Sequence, residues 1–151
     1  MSEGKEFSID DVVEEWKSDC TIDESRLSHE IIRTPSLHAK YLAYFVRFKG
    51  QVSKNRAFLG RMGNIKRKYY RGECTKADLA KYEWVQYQGL KPSSAEMNSL
   101  LEFDEEMVFW KKEVSNAEAA VQAIEYIMKQ LTSRDYTLKT LFEYNKYLNG
   151  A

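Results

Sequence analysis

An all-α protein of long antiparallel helices, with short helices near its ends, follows from three features of this 151-residue chain. Apolar residues recur at three- and four-residue steps through two long stretches, the spacing that lines one face of a helix. Only two prolines interrupt the sequence. The stretches between its seven glycines are rich in Lys, Glu, Ala, Leu and Gln, which favour the helix. The length suits a single core, so residues 1–151 are expected to form one helical domain. Within it, short N-terminal helices occupy 8–35, a basic helix 36–72, and heptad and C-terminal helices 94–150.

Asp10 precedes Val12, Val13 and Trp16, with Glu14 and Glu15 close behind, which predicts a short helix capped by Asp10 and ending near Ser18. Asp23 is the expected cap of a second short helix through Leu27 and Ile31. Pro35 should end it, because the residue before proline is pushed out of the helical region. Ser36 then caps the basic helix, whose apolar face runs through Leu37, Tyr41, Phe45, Phe48, Val52, Leu59, Met62, Ile65 and Tyr69. Unbroken to Arg71, it would be about 50 Å long. Gly60 and Gly63 offer a break as the alternative, each costing nearly 1 kcal/mol against alanine.

Gly72–Thr75 reads as a turn, followed by a helix started by Thr75 or Asp78 and reaching Val85 or Tyr87. Ser93 and Glu96 fit a capping box. From there Leu100, Phe103, Met107, Trp110, Val114, Ala117, Val121, Ile124, Met128 and Leu131 sustain a heptad pattern, the mark of a coiled coil or long bundle helix. Thr132–Asp135 is expected to end it. Leu138, Leu141, Phe142, Tyr144 and Leu148 form a last short helix stopped by Gly150. More apolar surface than one partner helix can cover predicts self-association. The expected contact residues are Met107, Trp110, Val114, Val121, Ile124, Met128, Leu131, Leu138, Leu141 and Phe142.

Charge is segregated. Residues 1–30 carry three cations against ten anions, and residues 73–151 nine against thirteen. Between them, 31–72 hold eleven cations and no Asp or Glu, although the whole chain is formally neutral. Lys40, Arg47, Lys54, Arg61 and Lys68 recur every seven residues, a slowly drifting helical stripe beside the apolar face. Lys66, Arg67, Lys68 and Arg71 cluster around Tyr69 and Tyr70. An ordinary solvated helix mixes signs to form i,i+4 pairs, so a one-sign block points to an anionic partner. Cations spaced along a rod match phosphates spaced along a strand, and an exposed tyrosine can stack on an unpaired base. Lys40, Arg47, Lys54, Arg61, Lys66, Arg67, Lys68 and Arg71 are therefore the expected phosphate contacts. Tyr70 is the expected stacker, since Tyr69 lies on the apolar stripe. An anionic membrane surface or an acidic protein partner would meet the same charge less specifically.

Other classes fit poorly. No apolar run approaches a membrane span, and the N-terminus lacks the pattern of a signal peptide. Cys20 and Cys74 are isolated, which predicts reduced cysteines. His29 and His38 stand at no metal-ligand spacing, so no metal or cofactor is expected. Asp104–Glu105–Glu106 would diverge on a helix instead of converging on a nuclease metal. No phosphate-cradling glycine motif or nucleophile–base pair suggests an enzyme. Two non-enzymatic alternatives remain: a scaffolding coiled coil whose basic block faces acidic protein, and a helical regulator that reads duplex.

Several separated strings resemble the UvsY recombination mediators of tailed phages. They are Trp16-Lys17-x-Asp19 with Ile22-Asp23, Leu27, Glu30 and Leu37-x-x-Lys40-Tyr41-Leu42; Lys66-x-x-Tyr69-Tyr70-x-Gly72; Leu101-x-x-Asp104 leading to Phe109-Trp110; and Ser133-Arg134-x-Tyr136-x-Leu138-Lys139. They keep the family's order over nearly the whole chain. The resemblance implies a small all-α protein that assembles into a ring-like homo-oligomer and binds single-stranded DNA. It implies a mediator that helps load a RecA-like recombinase onto strands coated by single-strand-binding protein, in the cytoplasm of an infected host cell. The family associates strand binding with a Lys-x-Arg pair before the two tyrosines. Here Asn64 stands at the first position and Lys66 at the second, so Arg67, Lys68 and Arg71 take more of the role. The family's C-terminal segment is associated with assembly.

Overall fold

The computed structural model describes residues 7–150. Its elements are α1 (Ile9–Asp19), a 3-10 turn (Glu24–Arg26), α2 (Leu27–Tyr70), α3 (Lys76–Tyr82), α4 (Ser94–Phe103) and α5 (Glu105–Leu148). No strand occurs among the described residues. The fold is all-α. The chain gathers into two compact units, one made of the residues up to Lys49 with those from Ala119 onward, the other Gly50–Glu118.

In the first unit Ser8, not Asp10, caps α1. Its hydroxyl accepts from the Asp11 amide, and the Asp11 carboxylate accepts from the Ser8 N–H at 2.8 Å. The reciprocal bonds satisfy two amide donors at once, which an Asp10 cap would not do. Val12, Leu37, Tyr41, Ile124, Ile127 and Leu131 form the core, with Trp16 edge-on to Tyr41 at 5.3 Å. Asp19 accepts from Lys40 at 2.6 Å, Arg33 at 2.8 Å and Tyr41 at 3.0 Å, tying α1 to α2.

The expected boundary at Pro35 is absent. Asp23 caps only the 3-10 turn, accepting from the Ser25 N–H at 3.0 Å, and α2 then runs through Pro35. A proline inside a helix costs about 3 kcal/mol. Buried contacts on both sides outweigh it: Leu27, Leu37 and Tyr41 are in the interior, and Glu30 forms a buried ion pair with Arg134 of α5. The Arg134 Nε also donates to Thr34 at 3.4 Å.

Arg134 explains a second difference. Thr132–Asp135 do not end a helix, because α5 continues to Leu148. The Thr132 and Ser133 hydroxyls donate to the Met128 and Lys129 carbonyls one turn back, at 3.1 and 3.3 Å. Leu131 and Leu138 are fully buried on either side.

In the second unit α2 passes Gly60 and Gly63 without a break. A Cβ at Gly63 would stand 3.6 Å from the Met107 methyl, an ordinary contact distance, so α5 packs beside this position without requiring a glycine there. Asn55 meets the Glu113 carbonyl, Phe58 stacks on Trp110 at 4.9 Å, and Lys66 meets Glu106. Rising numbers on α2 paired with falling numbers on α5 make this pair antiparallel. Arg56 also pairs with Glu118.

Ser93 and Glu96 form the expected capping box of α4. The helix it starts stops at Phe103, however, and does not merge with α5. Asp104 is extended (φ −65°, ψ 127°), and its Oδ1 accepts from the amides of Glu106 and Met107 at 3.1 and 3.0 Å. It is a helix N-cap placed inside the heptad run. Phe103 consequently leaves the seam and is 76% exposed.

Candidate nucleic-acid interface

The end of α2 is built by a Schellman turn. Gly72 is left-handed (φ 71°), its N–H donates to the Tyr69 carbonyl at 3.0 Å, and the Glu73 N–H reaches the Lys68 carbonyl at 2.9 Å. Thr75 and Asp78 then cap α3 through a capping box of their own. This helix is shorter than its apolar pattern predicts. It ends at Tyr82, where Glu83 takes a left-handed φ of 57°. The Trp84 N–H donates to the Leu79 carbonyl at 2.9 Å, closing the turn. A non-glycine residue in that region is unfavourable by about 1–2 kcal/mol. The contacts of Trp84 hold it there.

Those contacts centre on Lys66. Its Nζ lies 3.0 Å from Asp104 Oδ2, 3.0 Å from Glu106 Oε1, and 4.1 Å from the Trp84 ring centre. The Trp84 indole N–H donates to Glu106 at 2.5 Å, and the Tyr70 hydroxyl donates to Asp104 at 2.7 Å. Burial opposes ionisation of Asp104, but hydrogen bonds from Tyr70, Lys66 and the Met107 N–H outweigh it and draw the carboxyl below its ordinary range. Burial and the Asp104 charge push the Tyr70 phenol up, so it stays a neutral donor.

Around this ion cluster the aromatic rings converge. Tyr69 touches Tyr70, Trp84 and Tyr87 at 5.1–5.7 Å, and its hydroxyl donates to the Val85 carbonyl at 2.8 Å. Tyr70 meets Tyr87 edge-on at 5.1 Å, and Tyr82 stacks on Trp84 at 4.6 Å. Gly89 passes against the Tyr87 ring; a Cβ there would lie 2.2 Å from the phenolic oxygen.

The predicted phosphate contacts separate into two kinds. Lys66 is 6% exposed and doubly paired, so two carboxylates and an indole enclose a cation that the sequence places among the expected phosphate contacts. Lys40 is likewise held, by Glu15 at 2.7 Å and Asp19 at 2.6 Å. In contrast, Lys54, Arg61, Arg67, Lys68 and Arg71 of the second unit are exposed, and no described carboxylate pairs with any of them. Arg61 lies over Phe58 at 4.7 Å, and Arg67 donates to Asn64 at 3.5 Å. In the first unit Arg47 is exposed and lies over Phe7 at 4.9 Å.

The expected self-contact residues also divide. Met107, Val114, Val121, Ile124, Leu131 and Leu138 are buried in the chain's own fold, while Trp110, Met128 and Leu141 are half-buried. Phe142 is exposed, together with Tyr144, Tyr147 and Leu148 beyond it.

Asp104, Glu106, Trp84 and Tyr87 were not legible as site residues. Asp104 followed by two glutamates carries a helix-start signal, which the heptad pattern overrode. Trp84 and Tyr87 carry no local signal. Among the described residues no cluster of His, Cys, Asp or Glu could hold a metal, and no helix is long and apolar enough to cross a membrane.

Solved structures share the fold. Crystal structures of the bacteriophage T4 recombination mediator protein UvsY in lattice types II and IV superpose with TM-scores of 0.79 and 0.77 at 17% identity. They cover 95% and 93% of this chain and 99% of theirs. None of the curated proteins matches the chain significantly. The family described as "Recombination, repair and ssDNA binding protein UvsY" matches residues 15–151. With nearly the whole chain matched, this protein belongs to the UvsY family.

Proposed function

We propose that the protein binds single-stranded DNA without sequence preference and acts as a recombination mediator. One observation carries the reading: Lys54, Arg61, Arg67, Lys68 and Arg71 are exposed on or just beyond one stretch of α2 and unpaired by any described carboxylate. Ion pairs neutralise Arg33, Lys40, Arg56 and Lys66, but these five remain available. Phosphates supply the missing countercharge and release their own condensed ions on binding. Tyr70, anchored through its hydroxyl, offers a preset ring for stacking, and Arg47 adds a cation in the first unit. Lys66 acts as a brace that holds Tyr70, Trp84 and Asp104 in place.

Family membership supports the mediator role. In that role the protein loads a RecA-like recombinase onto strands coated by single-strand-binding protein, in the cytoplasm of the infected host cell. A homo-oligomer, ring-like by family resemblance, would set several basic surfaces on one strand, so modest affinities combine through effective concentration. The exposed Phe142, Tyr147 and Leu148 suit such contacts.

Binding of a labelled oligothymidine and of an equally long duplex across a salt series tests the proposal. The single strand should bind more tightly, with log K falling steeply as log salt rises. Replacing Arg67, Lys68 and Arg71 with alanine should flatten that slope by about 0.7 per cation lost. An unchanged slope would overturn the assignment. Indifference to both nucleic acids would favour an acidic protein partner for the basic surface.

A further inference from the structure

The second unit contains an open groove of about 770 Å³ whose walls are the rings of Tyr70 and Tyr87 and the side chains of Leu90, Leu100 and Phe103, with Lys91 at its rim. Three features set it apart from ordinary surface relief. Leu90 and Phe103 are 92% and 76% exposed and line the same groove, so two large apolar side chains stand together in water. Phe103 makes no ring contact with any described aromatic residue, although five aromatic rings pack on one another nearby. The rigid wall opposite is fixed by hydrogen bonds and close packing: Tyr70 through Asp104, and Tyr87 against the Gly89 backbone.

The polar groups in the groove suit a neutral, flat occupant. The Asp104 carboxylate is neutralised by Lys66, and Glu96 is turned to the start of α4, where it accepts from the Ser93 N–H at 2.7 Å. Ser99 remains a small donor and acceptor. Lys91 is exposed and unpaired among the described residues. Tyr70, one wall of the groove, is followed in sequence by the exposed cation Arg71.

We propose that this groove is a docking site for one unpaired nucleobase of the bound strand, stacked on the tyrosine wall and covered by Phe103 and Leu90, with Lys91 meeting the adjoining phosphate. This rests on the single-strand reading above and adds to it a contact that duplex DNA, whose bases are already stacked and paired, cannot make. Stacking on an aromatic ring is worth about 1–3 kcal/mol per base. It tolerates any sequence, since every base has a π-face.

The test compares an oligothymidine with an abasic oligonucleotide of equal length and charge, using the full-length protein and two variants. Phe103→Ser and Leu90→Ser remove exposed side chains, so folding is expected to survive, and circular dichroism checks it. The native protein should bind the oligothymidine at least five-fold more tightly than the abasic strand. Each variant should shrink that ratio while leaving the salt slope unchanged. Equal affinity of the native protein for both strands would overturn the base site and leave phosphate binding intact. A ratio that survives in both variants would also overturn it, placing the base contact elsewhere. Binding of neither strand would overturn the single-strand reading itself, and the base site with it.

Discussion

Lys66 of α2 reaches Asp104, the residue that separates α4 from α5, with Nζ and Oδ2 3.0 Å apart and both side chains less than a tenth exposed. The same carboxylate caps α5 and anchors Tyr70. One buried pair thus fixes a helix start, an aromatic wall and the end of the basic helix.

Lys66→Ala should therefore act on stability before it acts on charge. It leaves Asp104 and Glu106 without their shared cation, and breaking a buried pair from one side costs about 3–5 kcal/mol. The exposed Lys68→Ala should stay within about 0.5 kcal/mol of the native protein. Urea denaturation of both variants measures the difference. Similar midpoints would mean that Lys66 is solvated and free to serve as a phosphate contact.

The lowered pKa of Asp104 fixes the direction of a pH effect. Its folded-state carboxyl titrates below the unfolded value of about 3.9. The stabilisation is therefore complete above that value and is lost as pH falls from there through the lower folded pKa. Asp19, drawn down by Lys40 and Tyr41 hydrogen bonds against the effect of burial, contributes in the same sense. Asp104→Asn keeps a competent cap but removes the titrating charge. The variant should lose less stability than the native protein between pH 4 and the acid limit. Parallel acid-unfolding curves would remove Asp104 from the account.

The Arg134–Glu30 pair should be as sensitive as the Lys66 site. Both side chains are buried, and Arg134 also donates to Thr34 beside Pro35. Arg134→Ala should destabilise by about 3–5 kcal/mol, whereas the neighbouring exposed Ser133→Ala should change little. A loss below about 1 kcal/mol for Arg134→Ala would show that other contacts carry α2 across the proline.

The proposed self-association can be tested apart from folding at the C-terminal end of α5. Phe142 and Leu148 are 49% and 61% exposed, so Phe142→Ser with Leu148→Ser leaves the chain's own core untouched. Light scattering should report a smaller assembly at unchanged helix content. An unaltered mass would place the contacts on another face.

The one-dimensional pattern of this sequence determined its helical class, its charge segregation and the helix caps at Thr75 and Ser93. Apolar spacing along 36–71 and 105–131 is a local property that no alternative packing erases, and Ser93, Glu96 and Thr75 carry their capping chemistry in their own side chains. Tertiary structure decided where the helices end. Pro35 and Thr132–Asp135 are local stop signals, overruled by the buried Glu30–Arg134 pair and the apolar contacts around it. Asp104 is a local start signal, hidden inside a heptad run that continues past it. The availability of each cation was likewise decided in three dimensions. Lys66 and Lys68 are equivalent letters in a basic string, but only the fold brings two carboxylates and an indole onto the first, and leaves the second in water.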